Sequence, residues 1–316
     1  MVCQVVYKYF KLFSETRMIK KFLLALATFG TLTTSAFAFD ATAKPITVVI
    51  PFAPGGGVDV TFRHFEKWAA DKGLKFTPMY KPGAEGLIGM NEIAGMPKDG
   101  YHISFGTAAT IAIQRIKNPS AELEPITLIK NSISGFITHK DSKINSIADL
   151  YKGDLPKSLA YGAPGQKMLI EQLVELSKGK IKATLVPYKG GGPVVQDIAG
   201  NHVQFAAPPL LIAKSHIDAG TIKLLAVGSR NRLKEYPNVP TIFEIFPNWK
   251  DYDGFAVILP KGTDTDAVKF WTNILREYMN DKKVQEDFIK EYNEPNQFGK
   301  DELEKLVRNS IKALSN

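Results

Sequence analysis

The sequence has almost no cysteine: Cys3 is the one cysteine among 316 residues. A single cysteine cannot form an intramolecular disulfide, so the chain is not a small disulfide scaffold and must be stabilised by a hydrophobic core. Histidine is scarce too, with five residues, and none has the short spacings of metal-binding motifs. We therefore expect neither a bound metal nor another cofactor.

Motifs of the common enzyme classes are also missing. The chain has no Gly-x-Ser-x-Gly elbow, no His-Glu-x-x-His pair, no P-loop and no Gly-x-Gly-x-x-Gly dinucleotide spacing. We therefore expect no catalytic residues and a protein that is not an enzyme. A site assembled from distant residues keeps an exported enzyme open as an alternative.

Long apolar stretches are absent, and the longest block lies near the N-terminus. Residues 22–32 are mostly apolar, follow Lys20 and Lys21, and precede small residues that end at Ala38. This order is typical of a signal peptide, and the block is shorter than the roughly 18 residues that a membrane-spanning helix needs. We predict cleavage after Ala38, an upstream extension at residues 1–17, and export to the periplasm.

The net charge of +8 is a modest basic excess. Removing residues 1–38 lowers it further, because that segment holds more basic than acidic residues. The remaining lysines are dispersed along amphipathic segments rather than clustered among aromatic residues. This pattern excludes a nucleic-acid footprint, and we expect the exported chain to be a monomer.

Strand-like and helix-like segments alternate along the rest of the chain. The β-branched run at 46–52 and the predicted strand at 158–162 are each followed by a glycine-containing turn and an amphipathic helical pattern. Repeated strand–helix–strand order predicts mainly parallel sheets with helices on both faces. Further predicted strands are 75–80, 101–106, 126–130, 184–188, 203–207 and 222–228; predicted helices are 58–71, 87–95, 108–116, 147–152, 166–178, 193–200 and 210–219.

The two halves begin alike, which predicts two similar doubly wound α/β lobes. The apolar segments 133–139 and 254–259 are the predicted crossings between them. Helical patterns near the C-terminus are expected to return to the first lobe. We therefore assign residues 39–138 and 255–316 to the first lobe and residues 139–254 to the second.

The glycine-rich turns between strands and helices are the part of the sequence that indicates a function. The turn PFAPGGGVD at 51–59 exposes main-chain N–H groups, and the helix that follows adds about half a positive charge at its N-terminus. Such a turn suits an anion; the alternative is a tight turn that binds nothing. Asp59 is either a helix cap or a ligand contact, and Thr107 is either an N-cap or a hydroxyl donor. Segments 161–167 and 188–193 form similar corners.

Taken in order, these segments resemble the solute-binding proteins of tripartite tricarboxylate transporters, the Bug or TctC-like family. The resemblance lies in PFAPGGGVD at 51–59, KPGAEG at 81–86 with Gly89, PKDGY at 97–101, Gly106-Thr107, VPYKGGGP at 186–193 and PNVPT at 237–241. These motifs extend over nearly the whole exported chain.

The resemblance implies a periplasmic binding protein of type II, a Venus flytrap with a hinged cleft. It further implies capture of a small organic carboxylate and delivery to a large and a small integral membrane subunit. Presentation of the ligand to a membrane sensor is the alternative. The candidate ligand-binding residues are Phe52, Ala53, Pro54, Gly55, Gly56, Gly57, Asp59, Thr107, Ala108, Gly162, Ala163, Gly165, Gln166, Tyr188 and Phe255.

Two departures from the family pattern concern the ligand. The second glycine corner is shortened, with Pro164, Gly165 and Gln166 where relatives have a longer hydroxyl-containing loop. Residues 206–209 read Ala-Ala-Pro-Pro where a polar side chain commonly enters the pocket. Fewer hydroxyls and acids suit a ligand with a less polar body, such as an aromatic or short aliphatic carboxylate.

Overall fold

A computed structural model describes residues 39–152, 157–250, 252, 254–294 and 299–315. The predicted signal peptide, its cleavage site and the upstream extension fall in residues 1–38 and lie outside this described part. Among the helices that are described, none has both the length and the hydropathy needed to cross a bilayer.

The described residues form strands and helices in regular alternation. The strands are β1 (Ile46–Ile50), β2 (Phe76–Tyr80), β3 (His102–Thr107), β4 (Leu123–Ser132), β5 (Gly135–His139), β6 (Lys157–Tyr161), β7 (Ala183–Pro187), β8 (Phe205–Ala206), β9 (Ile222–Val227), β10 (Phe255–Pro260) and β11 (Asn293–Glu294). The α-helices are α1 (Gly57–Ala70), α2 (Leu87–Ala94), α3 (Ala108–Lys117), α4 (Pro164–Leu176), α5 (Gly191–Ala199), α6 (Leu210–Asp218), α7 (Ile242–Ile245), α8 (Thr265–Asn280), α9 (Lys282–Lys290) and α10 (Lys300–Leu314).

The strands are arranged in two sheets with matching strand order. The first sheet runs β11-β4-β10-β3-β1-β2 and the second runs β7-β6-β8-β5-β9. In each sheet the leading strand, β1 or β6, is flanked in parallel by the next two strands of its half. A further strand, β10 or β5, then joins antiparallel. Two similar α/β lobes are therefore confirmed.

The sheets are mixed, so the prediction of mainly parallel sheets is wrong. The segments predicted as crossings, 133–139 and 254–259, supply the antiparallel strands β5 and β10. They run antiparallel because each enters its sheet from the other lobe instead of from a crossover helix on the same sheet. By sheet membership the first crossing falls at residues 133–134; the lobe boundaries at 138/139 and 254/255 remain a prediction.

Every predicted strand and helix corresponds to an observed element, with small differences at the ends. The predicted helix 147–152 is a 3₁₀ turn, Ile147–Tyr151. Helix α4 begins earlier than predicted, at Pro164, because proline at the first helical position has the required φ and no N–H to satisfy.

The core of the first lobe is aromatic and is covered by C-terminal helices. Phe62 and Phe65 of α1 are fully buried, and the Phe65 ring lies 5.1 Å from that of Tyr278 on α8. Trp271 of α8 is also fully buried, and its Nε1 donates to the carbonyl of Gly100 at 2.9 Å. Helix α8 is thereby fixed to the first sheet, as the apolar stripe of this segment predicts.

One buried charge lies next to the first crossing. The side chain of Lys130, on β4, is 1% exposed, and its Nζ lies 3.2 Å from Glu291 Oε2. The ammonium also lies 4.9 Å from the ring centre of Phe288. Burial lowers the pKa of Lys130, and the Glu291 carboxylate opposes that effect. Glu291 is therefore the counterion that keeps this lysine charged inside the protein.

Replacing Glu291 with glutamine leaves the Lys130 ammonium without a counterion. We expect Glu291→Gln to lower the free energy of unfolding by about 3 kcal/mol at pH 7, measured by urea denaturation. The pKa of Lys130 then falls further below its unfolded value, so the unfolded chain binds more protons and stability rises with pH. The loss should therefore shrink at pH 10.

The matched control is Glu302→Gln, in an exposed pair whose partner atoms lie 3.4 Å apart. It should change stability by less than about 1 kcal/mol at either pH. An equal loss in both variants would show that burial of Lys130 does not matter.

Candidate ligand-binding site

Four strand-to-helix corners meet at one small cavity between the lobes. They are the turns from β1 to α1, from β3 to α3, from β6 to α4 and from β7 to α5, each at the carboxyl end of its strand. The cavity has a volume of about 10 Å³. Its lining consists of Phe52, Gly56, Gly57, Val58, Thr107, Gly162, Ala163, Gln166, Gly191, Pro209 and Phe255.

Three of the four helices begin without a side-chain cap. The N-cap residues of α1, α4 and α5 are Gly56, Ala163 and Gly190, and none accepts a capping hydrogen bond. In α3, by contrast, Thr107 Oγ1 accepts from the Thr110 N–H at 3.1 Å. Each uncapped start leaves first-turn N–H groups free and carries about half a positive charge. The cavity is therefore electropositive, although its lining has no basic side chain in the part of the chain that the structure describes.

The closed cleft is held by direct contact between the main chains of the two lobes. The Ala53 N–H, after β1, donates to the carbonyl of Lys189, after β7, at 2.8 Å. A Cβ on Gly190 would lie 3.2 Å from Ala53 N, and one on Gly192 would lie 3.3 Å from the Gly55 carbonyl carbon. Glycine at these positions therefore permits the two loops to approach this closely.

The cavity is too small to admit a ligand without a change in conformation. About 10 Å³ is roughly the space that one water molecule requires. Even a small carboxylate is larger, so it can occupy the cavity only if the two loops first move apart. The crossings at residues 133–134 and ahead of β10 are where such a movement would be absorbed, since they alone connect the sheets in sequence among the described residues.

Asp59 stabilises the first corner from within its own lobe. Its Oδ2 accepts from the Gly55 N–H at 2.8 Å, and its Oδ1 accepts from the Tyr80 hydroxyl at 2.8 Å. Arg63 Nε lies 3.5 Å from the same Oδ1. Asp59 does not cap α1, whose N-cap is Gly56, and its carboxylate instead fixes the loop ahead of the helix; a ligand contact at Asp59 stays a prediction. Thr107 acts as an N-cap while also lining the cavity.

The second lobe contributes two corners that touch each other. A Cβ on Gly162 would lie 2.1 Å from the carbonyl carbon of Gly190. The Gly162 N–H donates to Gln166 Oε1 at 2.8 Å, so this amide, expected to face a ligand, is used within the corner. Gln166 is 4% exposed and lines the cavity itself.

The structure brings about half of the candidate residues to the cavity. Phe52, Gly56, Gly57, Thr107, Gly162, Ala163, Gln166 and Phe255 line it. Ala53, Pro54, Gly55, Asp59, Ala108, Gly165 and Tyr188 are not among the lining residues. The Ala108 N–H donates to the carbonyl of Gly254 at 3.0 Å, and the Tyr188 hydroxyl donates to Asp197. Both groups are therefore engaged elsewhere.

Sequence analysis did not name Val58, Gly191 and Pro209, which also line the cavity. The signal for Gly191 was available, because segment 188–193 has the same glycine-rich corner as segment 51–59. Pro209 ends the Ala-Ala-Pro-Pro stretch at 206–209, which stands where a polar side chain commonly enters the pocket in the family. Among the described residues, no group of histidine, cysteine or acidic side chains could hold a metal ion.

A charged contact joins the lobes beside the cavity. Glu85 lies between β2 and α2, and its Oε1 is 3.3 Å from Lys167 Nζ on α4. Burial, with the neighbouring Glu85 carboxylate, raises the pKa of Tyr161 to about 12. Ala84 and Glu85 have φ of 46° and 57°, a strained conformation for residues other than glycine. This strained turn holds the Glu85 carboxylate against the second lobe.

The Gly162 corner is tested by adding one methyl group. The Gly162→Ala side chain would overlap main-chain atoms, so we expect a loss of about 3 kcal/mol in the free energy of unfolding. Gly95→Ala is the control, since the nearest atoms would lie 3.7 and 3.8 Å away. It should stay within about 0.5 kcal/mol of the parent. Equal stability of both variants would contradict the close packing of the two corners.

The Glu85–Lys167 pair is tested by hydrogen exchange at the Ala53 amide, which is bonded across the cleft. In Glu85→Gln this amide should exchange about two- to fivefold faster at low salt, because an ion pair whose side chains are 27% and 28% exposed contributes about 0.5–1 kcal/mol. Glu171→Gln removes the other neighbour of Lys167, 3.9 Å away on the same helix, and should leave exchange unchanged. Equal rates in both variants would show that the pair does not hold the cleft closed.

Comparisons with known proteins identify the family to which this chain is similar. A family model described as "Tripartite tricarboxylate transporter family receptor", TctC, matches residues 79–315. Protein BugT of Bordetella pertussis is 29% identical over 262 residues, covering 78% of this chain and 79% of that protein.

Two solved structures share the architecture. Periplasmic binding protein BugD is 26% identical with a TM-score of 0.75, covering 85% of this chain and 94% of that chain. An R. palustris protein solved with adipate is 23% identical with a TM-score of 0.77, covering 87% of this chain and 96% of that chain; this likeness shows the fold alone.

The glycine-rich motifs, the two-lobed fold and the family match agree. The fold is that of a type II periplasmic binding protein, as expected. The chain belongs to the TctC family, the receptors of tripartite tricarboxylate transporters.

Proposed function

We propose that this protein is an extracytoplasmic solute-binding protein that captures a small organic carboxylate between its two lobes. The observation that carries the proposal is the meeting of three uncapped helix N-termini at one cavity between the lobes. Their N–H groups and partial charges stabilise an anion without the need for a basic side chain. Adipate in the R. palustris protein of the same fold supports a carboxylate.

Binding is coupled to closure. The corners belong to different lobes, so a carboxylate can contact all three helix starts only when the lobes close around it, in a form whose cavity is wider than the about 10 Å³ of this structure. A ligand that binds the closed state better than the open state shifts the equilibrium between them. A micromolar dissociation constant corresponds to about −8 kcal/mol, which several main-chain hydrogen bonds and modest apolar burial can supply.

Closure of the cleft would also distinguish the ligand-bound protein from the ligand-free protein. We propose that the protein works in the periplasm after cleavage of its signal peptide near Ala38. The closed form would deliver the carboxylate to a large and a small membrane subunit of a tripartite tricarboxylate transporter, with the receptor acting as a monomer. Membership of the transporter receptor family supports this partner and this compartment.

The test is calorimetry with protein that has been unfolded and refolded to remove any carried ligand. We expect at least one carboxylate from a panel of aliphatic and aromatic acids to bind with a micromolar dissociation constant. The matching neutral amide should bind at least about tenfold more weakly, because it lacks the charge that the helix N-termini stabilise.

The site of binding is tested by Gly57→Ala. The added Cβ would lie 2.8 Å from Phe255 Cζ inside the cavity, while alanine suits the first turn of a helix. Carboxylate binding should be lost with a loss of about 1 kcal/mol in the free energy of unfolding, because the Phe255 ring must shift. The Gly95→Ala control should bind like the parent. Failure of every acid, with tight binding of an amine or a sugar, would overturn the proposed function.

A further inference from the structure

Gln166 is a buried polar side chain whose orientation is set by one hydrogen bond. It lies in the first turn of α4, is 4% exposed, and lines the cavity. Because the Gly162 N–H is a donor, the carboxamide atom that meets it at 2.8 Å must be the oxygen. The amino group therefore points away from Gly162. Its Nε2 faces the Gly191 corner, 3.3 Å from where a Cβ of Gly191 would be.

This arrangement replaces a main-chain donor with a side-chain donor. The Gly162 N–H is used by Gln166, and the two protons of Gln166 Nε2 take its place at the cavity wall. The other polar side chain in the lining, Thr107, is engaged with the N–H and the hydroxyl of Thr110. Gln166 is thus the side chain in the lining with donor capacity directed towards a ligand.

The positive potential of the cavity is limited. None of the described residues that line it is ionisable, and three uncapped helix starts together provide about one and a half positive charges. Two basic side chains near the cavity are already paired, and that of Lys189, in the corner between β7 and α5, is exposed. Lys167 lies 3.3 Å from Glu85, and Lys130, 5.9 Å from the ring centre of Phe255, is held by Glu291. The potential is therefore sufficient for one carboxylate.

The rest of the wall is apolar. Phe52, Val58, Pro209 and Phe255 also line the cavity, and their side chains offer no hydrogen-bond donor. A second carboxylate on the ligand would be buried against these groups without a partner, which is strongly unfavourable. An apolar or aromatic body gains instead from contact with the same groups.

We infer that the cleft selects organic acids with one carboxylate and an apolar or aromatic body, and that Gln166 donates to that carboxylate. This inference rests on the proposed function and narrows it, since it excludes di- and tricarboxylates as preferred ligands. It also separates this chain from the R. palustris protein solved with a dicarboxylate, adipate.

The experiment compares matched acids that differ by one carboxylate. Stripped protein is titrated by calorimetry with hexanoate against adipate, and with benzoate against terephthalate. We expect the monocarboxylate of at least one pair to bind at least tenfold more tightly than its dicarboxylate. If a dicarboxylate binds equally or more tightly in both pairs, the inference is wrong and the proposed function stands. If no acid of this panel or of the wider one binds, both fail.

The role of Gln166 is tested by Gln166→Glu, which keeps an oxygen acceptor for the Gly162 N–H but adds a negative charge at the cavity. We expect monocarboxylate binding to fall at least 100-fold with the melting temperature nearly unchanged. Gln172→Glu places the same charge on the same helix outside the cavity lining and should bind like the parent.

A second variant covers the case in which Gln166→Glu does not fold. Gln166→Met keeps the length of the side chain and removes both the donor and the oxygen that accepts from the Gly162 N–H. It should weaken monocarboxylate binding about tenfold while dicarboxylate binding changes no more than that. Parent-like affinity for monocarboxylates in either Gln166 variant would overturn the role given to this residue.

Discussion

Main-chain contact across the cleft is the constraint on which the site depends. The Ala53 N–H reaches the carbonyl of Lys189 at 2.8 Å only because glycines 190 and 192 leave room for the opposing loop. The same glycines bring the start of α5 to the cavity beside those of α1 and α4. Close approach of the two main chains therefore produces both the closed conformation and the electropositive cavity. Larger side chains at these glycine positions would disrupt both.

An electropositive site made of N–H groups differs from one made of lysine or arginine. Its donors are fixed by the helices, so little conformational entropy is lost when an anion is bound. Its charge is fractional and cannot be increased by moving a side chain. Selectivity then depends on what the walls cannot stabilise, namely a second charge on the ligand, rather than on additional attraction.

The sequence was sufficient for much of the fold and for most of the residues that line the candidate cavity. Strand–glycine–helix order predicted the corners after β1 and β6, because a turn at the carboxyl end of a parallel strand can adopt few conformations. It did not separate the crossing segments from strands, since β5 and β10 are short apolar runs in which periodicity is not informative. The capture of the Gly162 N–H by Gln166 depends on a side-chain rotamer, and no spacing in the chain encodes that rotamer. The Glu85–Lys167 contact depends on how the lobes meet, which local sequence does not specify.

The position of β10 has a consequence for the order in which the protein can assemble. In the first sheet β10 lies between β3 and β4, although it is made of residues 255–260 and its neighbours end by residue 132. Until β10 is synthesised and paired, the facing edges of β3 and β4 lack their hydrogen-bonding partner. The first sheet is then interrupted between these two strands. The half of the protein that is synthesised first is therefore completed last.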